Sequence, residues 1–126
     1  MTVLDTNFLI DLLDDDPAAL RIADSFKYPK TTIINVFELY HGASNSFKPG
    51  ENFSKINILL KSLEILEFDR LSALKAGSIK ARLMSSGKPI DAYDFLIAGI
   101  VIANKEELIT RDGHFKLVKN LRCRSW

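Results

Sequence analysis

Two hydrophobic rhythms alternate along the chain: short β-prone apolar runs ending in polar turns, and longer stretches with apolar residues at helical spacing. Thr2-Val3-Leu4 closes on the turn Asp5-Thr6-Asn7, after which Phe8, Leu9, Ile10, Leu12 and Leu13 predict a helix. Asp14-Asp15-Asp16-Pro17 breaks that pattern, and a second short helix is expected over 18–26 with Asp16 as its cap and Pro17 at its first position. The β-branched run Thr31-Thr32-Ile33-Ile34 predicts a buried strand, with Asn35 capping a helix through Val36, Phe37, Leu39 and Tyr40.

After the break at Pro49-Gly50, Phe53, Ile56, Leu59, Leu60 and Leu63 fit one face of an amphipathic helix, and residues 65–68 read as a strand. Asp69 is placed to cap a long helix from Arg70 to Met84, which Ser86-Gly87-Lys88-Pro89 ends. Residues 95–103 are apolar on nearly every side, so their helix should be buried, with Asp94 at its N-terminal end. A strand over Leu108-Ile109-Thr110 then closes on Arg111-Asp112-Gly113, and a turn and a strand are expected between Phe115 and Trp126. Strands alternating with helices predict an α/β fold with a mainly parallel central sheet.

Composition narrows the class. With 126 residues, 47% apolar and 26% charged, the chain suits a single domain over 1–126 with a core of its own, and disordered or fibrous classes are excluded. Cys123 is the one cysteine, which rules out a disulfide framework or a Cys-rich zinc site and suits a reducing compartment. It reads as an ordinary, partly buried thiol. No apolar run reaches membrane-spanning length and the N-terminus lacks a signal-peptide pattern, so a cytoplasmic protein without membrane association is expected.

The net charge of +1 conceals an asymmetry: residues 1–70 carry 7 basic and 11 acidic side chains, residues 71–126 carry 10 and 5. An acidic centre beside a basic segment suits a metal site acting on a polyanion. Lys80, Arg82, Lys88, Arg111, Lys116, Lys119, Arg122 and Arg124 are the candidate phosphate contacts, and Tyr93 and Phe95 candidate base-stacking rings, with core packing the simpler reading of Phe95.

In open parallel sheets, functional groups gather beyond the carboxyl ends of the strands. Asp5, Glu38, Asp94 and Asp112 all fall at such ends or in the first turns of the helices that follow. Singly, each has a plain structural reading as a turn, cap or solvated helix residue. Together they repel one another unless they are protonated or bind a cation, and hard oxygen donors without a His or Cys ligand pattern select Mg²⁺ or Mn²⁺.

Four segments in order carry a family likeness: Val3-Leu4-Asp5-Thr6-Asn7; Glu38-Leu39-Tyr40-His41-Gly42-Ala43; Pro89-Ile90-Asp91-Ala92-Tyr93-Asp94-Phe95-Leu96-Ile97-Ala98; and Leu108-Ile109-Thr110-Arg111-Asp112 with Phe115. Over nearly its whole length the sequence resembles the PIN-domain nucleases, in particular the toxin component of VapBC-type toxin–antitoxin pairs. The resemblance implies a three-layer α/β/α fold, an endoribonuclease acting on RNA, a cognate antitoxin and a homodimer. It also implies catalytic and metal-binding roles for Asp5, Glu38, Asp94 and Asp112, Asp5 and Asp94 foremost, with supporting roles for Thr6, Asn7 and Thr110.

Asp91 lies one turn before Asp94, but the family pattern places its acid directly before Phe95, so Asp91 is read as a cap or an accessory group. Apolar faces around Leu9–Leu13 and Leu59–Leu63 are interface candidates, though core packing accounts for them more simply. His41 and His114 show no mutual constraint of the kind metal-free ribonucleases need. The alternatives are an inactive PIN-like module binding RNA or a partner, and an RNA-processing nuclease outside a toxin–antitoxin pair. A phosphotransfer protein is disfavoured because Asp5-Thr6-Asn7 lacks a second aspartate two residues on, and a dinucleotide-binding fold lacks its glycine-rich turn.

Overall fold

The computed structural model describes residues 1–88 and 90–126; Pro89, which belongs to the expected helix stop and to the third matched segment, lies outside the described residues. In chain order the elements are β1 (Thr2–Leu4), α1 (Thr6–Leu13), α2 (Pro17–Ala23), β2 (Lys30–Thr32), α3 (Ile33–Ser44), α4 (Pro49–Leu60), β3 (Glu64–Leu66), α5 (Arg70–Ser85), α6 (Ala92–Ala103), β4 (Glu107–Ile109), a 3-10 helix (Gly113–Leu117) and β5 (Arg122–Arg124). The five strands form one sheet in the order β3-β2-β1-β4-β5. Every pairing is parallel, so the expected parallel sheet has no antiparallel member among the described residues.

Strand periodicity divides the core. Val3 and Leu108 point into a cluster with Phe95, Ile97, Ala98 and Val101 of α6 and Leu83 of α5. Their neighbours Leu4 and Ile109 point the other way, onto Phe8 and Leu9 of α1, Ala19 of α2, Leu39 and Ala43 of α3 and Ile56 of α4. Alternate side chains of a strand face opposite sides of its sheet, and here both sides are roofed by helices, giving α/β/α layers. Leu12, Leu13, Leu59, Leu60 and Leu63 pack against the second cluster, so the faces raised as interface candidates contribute to the core.

Several boundaries shift from the sequence reading for identifiable reasons. The β-branched run stops being a strand at Thr32, because the Thr32 hydroxyl accepts from the Asn35 backbone N–H and starts α3 there. Thr32 is therefore the cap, Ile33 and Ile34 are helical, and Asn35 is the third helical residue. Pro49 opens α4, where Pro49-Gly50 had read as a break; proline suits a first helical position because its missing N–H has no partner there. Asp16 and Asp69 cap α2 and α5 as expected, accepting from Ala19 and Ser72.

Helix α6 is buried on most sides, and it crosses α5 closely at Gly99, where an added Cβ would lie 2.6 Å from the Ser72 carbonyl oxygen. This crossing fixes α6, and with it Asp94, against the rest of the domain. Among the described residues no helix is long and apolar enough to cross a membrane.

Candidate metal centre

The strand order reverses direction at β1: the chain proceeds outward through β2 and β3 on one side and continues with β4 and β5 on the other. Such switch points leave a crevice beyond the strand ends. Asp5, immediately after β1, and Thr110, immediately after β4, meet there.

Asp5 occupies the N-cap position of α1 but makes no capping hydrogen bond with its side chain. Instead Oδ1 accepts from Asn35 Nδ2 at 3.0 Å and Oδ2 accepts from Thr110 Oγ1 at 2.6 Å. The residue is only 6% exposed. Burial pushes its carboxyl above the ordinary aspartate value, an effect the Thr110 and Asn35 donors oppose and the Asp112 charge reinforces.

Asn35 is fully buried and fully used. Its Oδ1 accepts from Thr32 Oγ1 at 2.7 Å and from the Thr32 N–H at 3.3 Å, while Nδ2 donates to Asp5 and, at 2.9 Å, to Thr6 Oγ1. This orientation turns the amide N–H, not its oxygen, toward Asp5 Oδ1, while Thr110 serves Oδ2. Thr6 passes the chain on, donating its hydroxyl to Glu38 Oε1 at 2.7 Å. Glu38 is half-buried, and desolvation together with the charges of Asp5 and Asp91 raises its pKa against the Thr6 hydrogen bond.

On the other side of Asp5, Thr110 Oγ1 accepts from the Asp112 N–H at 3.0 Å. Asp112 heads the 3-10 helix, its Oδ1 accepting from the His114 N–H at 2.9 Å and lying 2.9 Å from His114 Nδ1. Asp94 is the third residue of α6, whose cap is Asp91, with Oδ1 accepting from the Tyr93 N–H. The Asp94 carboxylate has no side-chain hydrogen bond among the described residues. Burial and the charges of Asp112, Asp5, Asp91 and Glu38 push it up to about 7.

One ligand atom each from Asp94, Asp112 and His114 lies within 4.8 Å of the others. Clustered carboxylate oxygens, with no Lys or Arg paired to Asp5, Glu38, Asp94 or Asp112 among the described residues, form a donor set that fits a hard divalent cation.

Of the residues expected at the site, Asp5, Thr6, Glu38 and Thr110 join one hydrogen-bond network, and Asp112 joins it through its backbone N–H. Asp94 is coupled to the group by charge. Asn7 is exposed and makes no side-chain hydrogen bond among the described residues. Asp91 is a cap whose charge also bears on Glu38 and Asp94.

Two members escaped the sequence reading. In sequence Asn35 reads as a simple helix cap; the signal for its larger role is the Thr32-x-x-Asn35 spacing of a capping box inside a buried run. The signal for His114 is Asp112-x-His114, the spacing of an Asx turn that returns the imidazole to the carboxylate.

Of the candidate phosphate contacts, Arg111 is engaged elsewhere, stacked 4.4 Å over Trp126 and near Asp11, and Arg124 pairs with Glu107. Lys116 lines a depression with Thr110 and Asp112. Phe95 is core, whereas Tyr93 is exposed. Cys123 is half-buried, and burial pushes its thiol up to about 11, far from the reactive range.

Residues 2–121 match the PIN domain family. The tRNA(fMet)-specific endonuclease VapC of Shigella flexneri is 29% identical over 127 residues, covering 98% of this chain and 96% of the relative. Ribonuclease VapC2 of Rickettsia felis is 31% identical over 129 residues with the same coverage. The crystal structure of VapBC2 from Rickettsia felis bound to a DNA fragment from its promoter superposes with a TM-score of 0.89 at 29% identity, covering 99% of this chain and 98% of that one.

Proposed function

The chain belongs to the PIN domain family, and from that premise we propose that it is a divalent-metal-dependent endoribonuclease, the toxin of a toxin–antitoxin pair. The observation that carries the chemistry is the convergence of four acids at the switch point of the sheet, Asp5, Glu38 and Asp112 tied by Asn35, Thr6 and Thr110 and Asp94 coupled to them by charge. Support for the substrate comes from relatives named as a tRNA endonuclease and as a ribonuclease over almost the whole chain. A cognate antitoxin is proposed on the solved VapBC complex, and a homodimer on the family resemblance alone.

Asp5 and Asp94 would be the principal ligands of Mg²⁺ or Mn²⁺, with Asp112 and Glu38 completing the acidic set. The cation would supply positive charge to offset that of the phosphate and of the leaving oxygen. Hydrolysis forms a bond from a water oxygen to phosphorus and breaks the P–O3′ bond. Glu38 accepts the Thr6 hydroxyl at Oε1, which leaves Oε2 to orient that water and take its proton. Asn35 and Thr110 hold Asp5 by both oxygens, so the carboxylate does not rotate when substrate arrives.

Purified protein incubated with RNA tests this reading. Cleavage is expected with Mg²⁺ or Mn²⁺, none with EDTA, and a loss of orders of magnitude in Asp5→Asn and Asp94→Asn. Cleavage that survives EDTA, or variants as active as the parent, would overturn it.

A further inference from the structure

Three rings from two helices meet in the open beside Glu38. Phe37 and His41 lie one turn apart on α3, their rings nearly parallel at 15° with centroids 6.3 Å apart. Tyr93, from the first turn of α6, closes on Phe37 at 5.3 Å. Phe37 is 47% exposed and Tyr93 43%, and His41 is exposed as well. The rings border a pocket of about 300 Å³ whose other walls are Thr6, Glu38 and Gly42. That volume is at the lower end of small-ligand sites, roughly 300–1,000 Å³.

Gly42 presents bare backbone to this pocket. An added Cβ would meet nothing within 4 Å, so no contact inside the chain calls for a glycine at this point of a helix, where glycine is unfavourable. Glu38 in the same wall disfavours a phosphate or an acidic peptide, and the exposed ring faces favour a flat group that can stack on them. Thr6 and Glu38 belong both to this pocket and to the acidic network, which places the pocket immediately beside the proposed scissile phosphate.

We propose that Phe37, His41 and Tyr93 form a stacking shelf that holds the unpaired nucleobase next to the phosphate being cut. The shelf rests on RNA being the ligand of the acidic site. Its consequence is selectivity for single-stranded or extruded nucleotides, because a base inside a duplex has no free face to offer.

The test compares the parent protein, the Phe37→Leu/Tyr93→Leu double variant and the ring-retaining Phe37→Tyr/Tyr93→Phe variant. The probe is a short random-sequence single-stranded RNA containing 5-iodouridine, in Mn²⁺. The leucine variant should lose roughly 5- to 150-fold in kcat/KM, the equivalent of one lost base stack, chiefly through KM, while the ring-retaining variant stays within a few-fold of the parent. Irradiation on mixing should cross-link iodouridine to Phe37, His41 or Tyr93 in the parent.

Cross-links that map elsewhere, or a leucine variant as active as the parent, overturn the shelf. So does a leucine variant that sediments as a smaller species than the parent, since the rings would then belong to a protein interface. A parent that cross-links at the rings yet cleaves nothing sinks the nuclease reading and leaves only base binding by the rings; a parent that cleaves but cross-links elsewhere keeps the nuclease reading and overturns the shelf.

Discussion

The hydroxyl of Thr110 donates to Asp5 Oδ2 across 2.6 Å, joining residues 105 positions apart in the chain, and Thr110 Oγ1 in turn accepts the backbone N–H of Asp112. One small side chain thus spaces two acids across the gap between β1 and β4. Thr110→Val keeps the shape and removes both hydrogen bonds. Its affinity for Mn²⁺, measured by calorimetry, should fall by about 10- to 100-fold, with RNA cleavage falling in step, and Thr110→Ser should restore most of both. Unchanged Mn²⁺ binding in the valine variant would mean that Asp5 is held without Thr110.

Asn35 should matter more to stability than any other polar residue of the site. Asn35→Ala leaves Asp5 Oδ1 and the Thr32 N–H buried without these partners, at about 1–3 kcal/mol for each group, which urea denaturation would read as a marked drop in the midpoint. Asn7→Ala, at an exposed position without a side-chain hydrogen bond among the described residues, should change stability by no more than about 0.5 kcal/mol. If Asn7→Ala nonetheless abolishes cleavage of RNA, the side chain acts on substrate and not on the fold.

Asp94 gives the metal-free protein an unusual pH dependence. Its carboxyl titrates at about 7 in the folded state and near 3.8 in the unfolded chain, so between these values the folded protein binds the extra proton. The contribution of Asp94 to stability is therefore fully present at low pH and is lost as pH rises through about 7, opposite to a salt-bridged aspartate. In EDTA, the difference in Tm between parent and Asp94→Asn should shift in favour of the variant from pH 5 to pH 8. Mn²⁺ should raise the Tm of the parent at pH 8 and leave Asp94→Asn little changed. Equal responses of the two proteins to pH would remove Asp94 from the coupled cluster.

Five residues along α6 from Asp94, the crossing of α5 and α6 at Gly99 has no spare room: an added Cβ would lie 2.6 Å from Ser72 O and 2.7 Å from Ala76 Cβ. Gly99→Ala should destabilise the protein by about 1–3 kcal/mol despite the better helix propensity of alanine. Because α6 carries Asp94, the same substitution should lower cleavage beyond the loss of folded protein. The measurement is activity per folded molecule at a temperature where both proteins are native.

The order of strands and helices, the caps Asp16 and Asp69, and the acids at the strand ends were legible in the chain because periodicity, capping and turn chemistry act over a few residues. The end of β2 was not legible in the same way. A β-branched run looks alike on both sides of Thr32, and only the capping hydrogen bond chooses the boundary. The acids could be named from the sequence because strand ends of an open parallel sheet share one edge.

What holds those acids could not be read there. Asn35 reaches Asp5 from 30 positions away, Thr110 from 105, and Thr6 reaches Glu38 from 32. Such contacts exist only once β1 has paired with β2 and β4 and brought the three loops together. The sequence by itself determined which side chains carry the charge. The tertiary structure decided how closely they crowd and which side chains hold them, because burial and neighbouring charges raise the proton affinity of Asp94, and long-range hydrogen bonds orient Asp5.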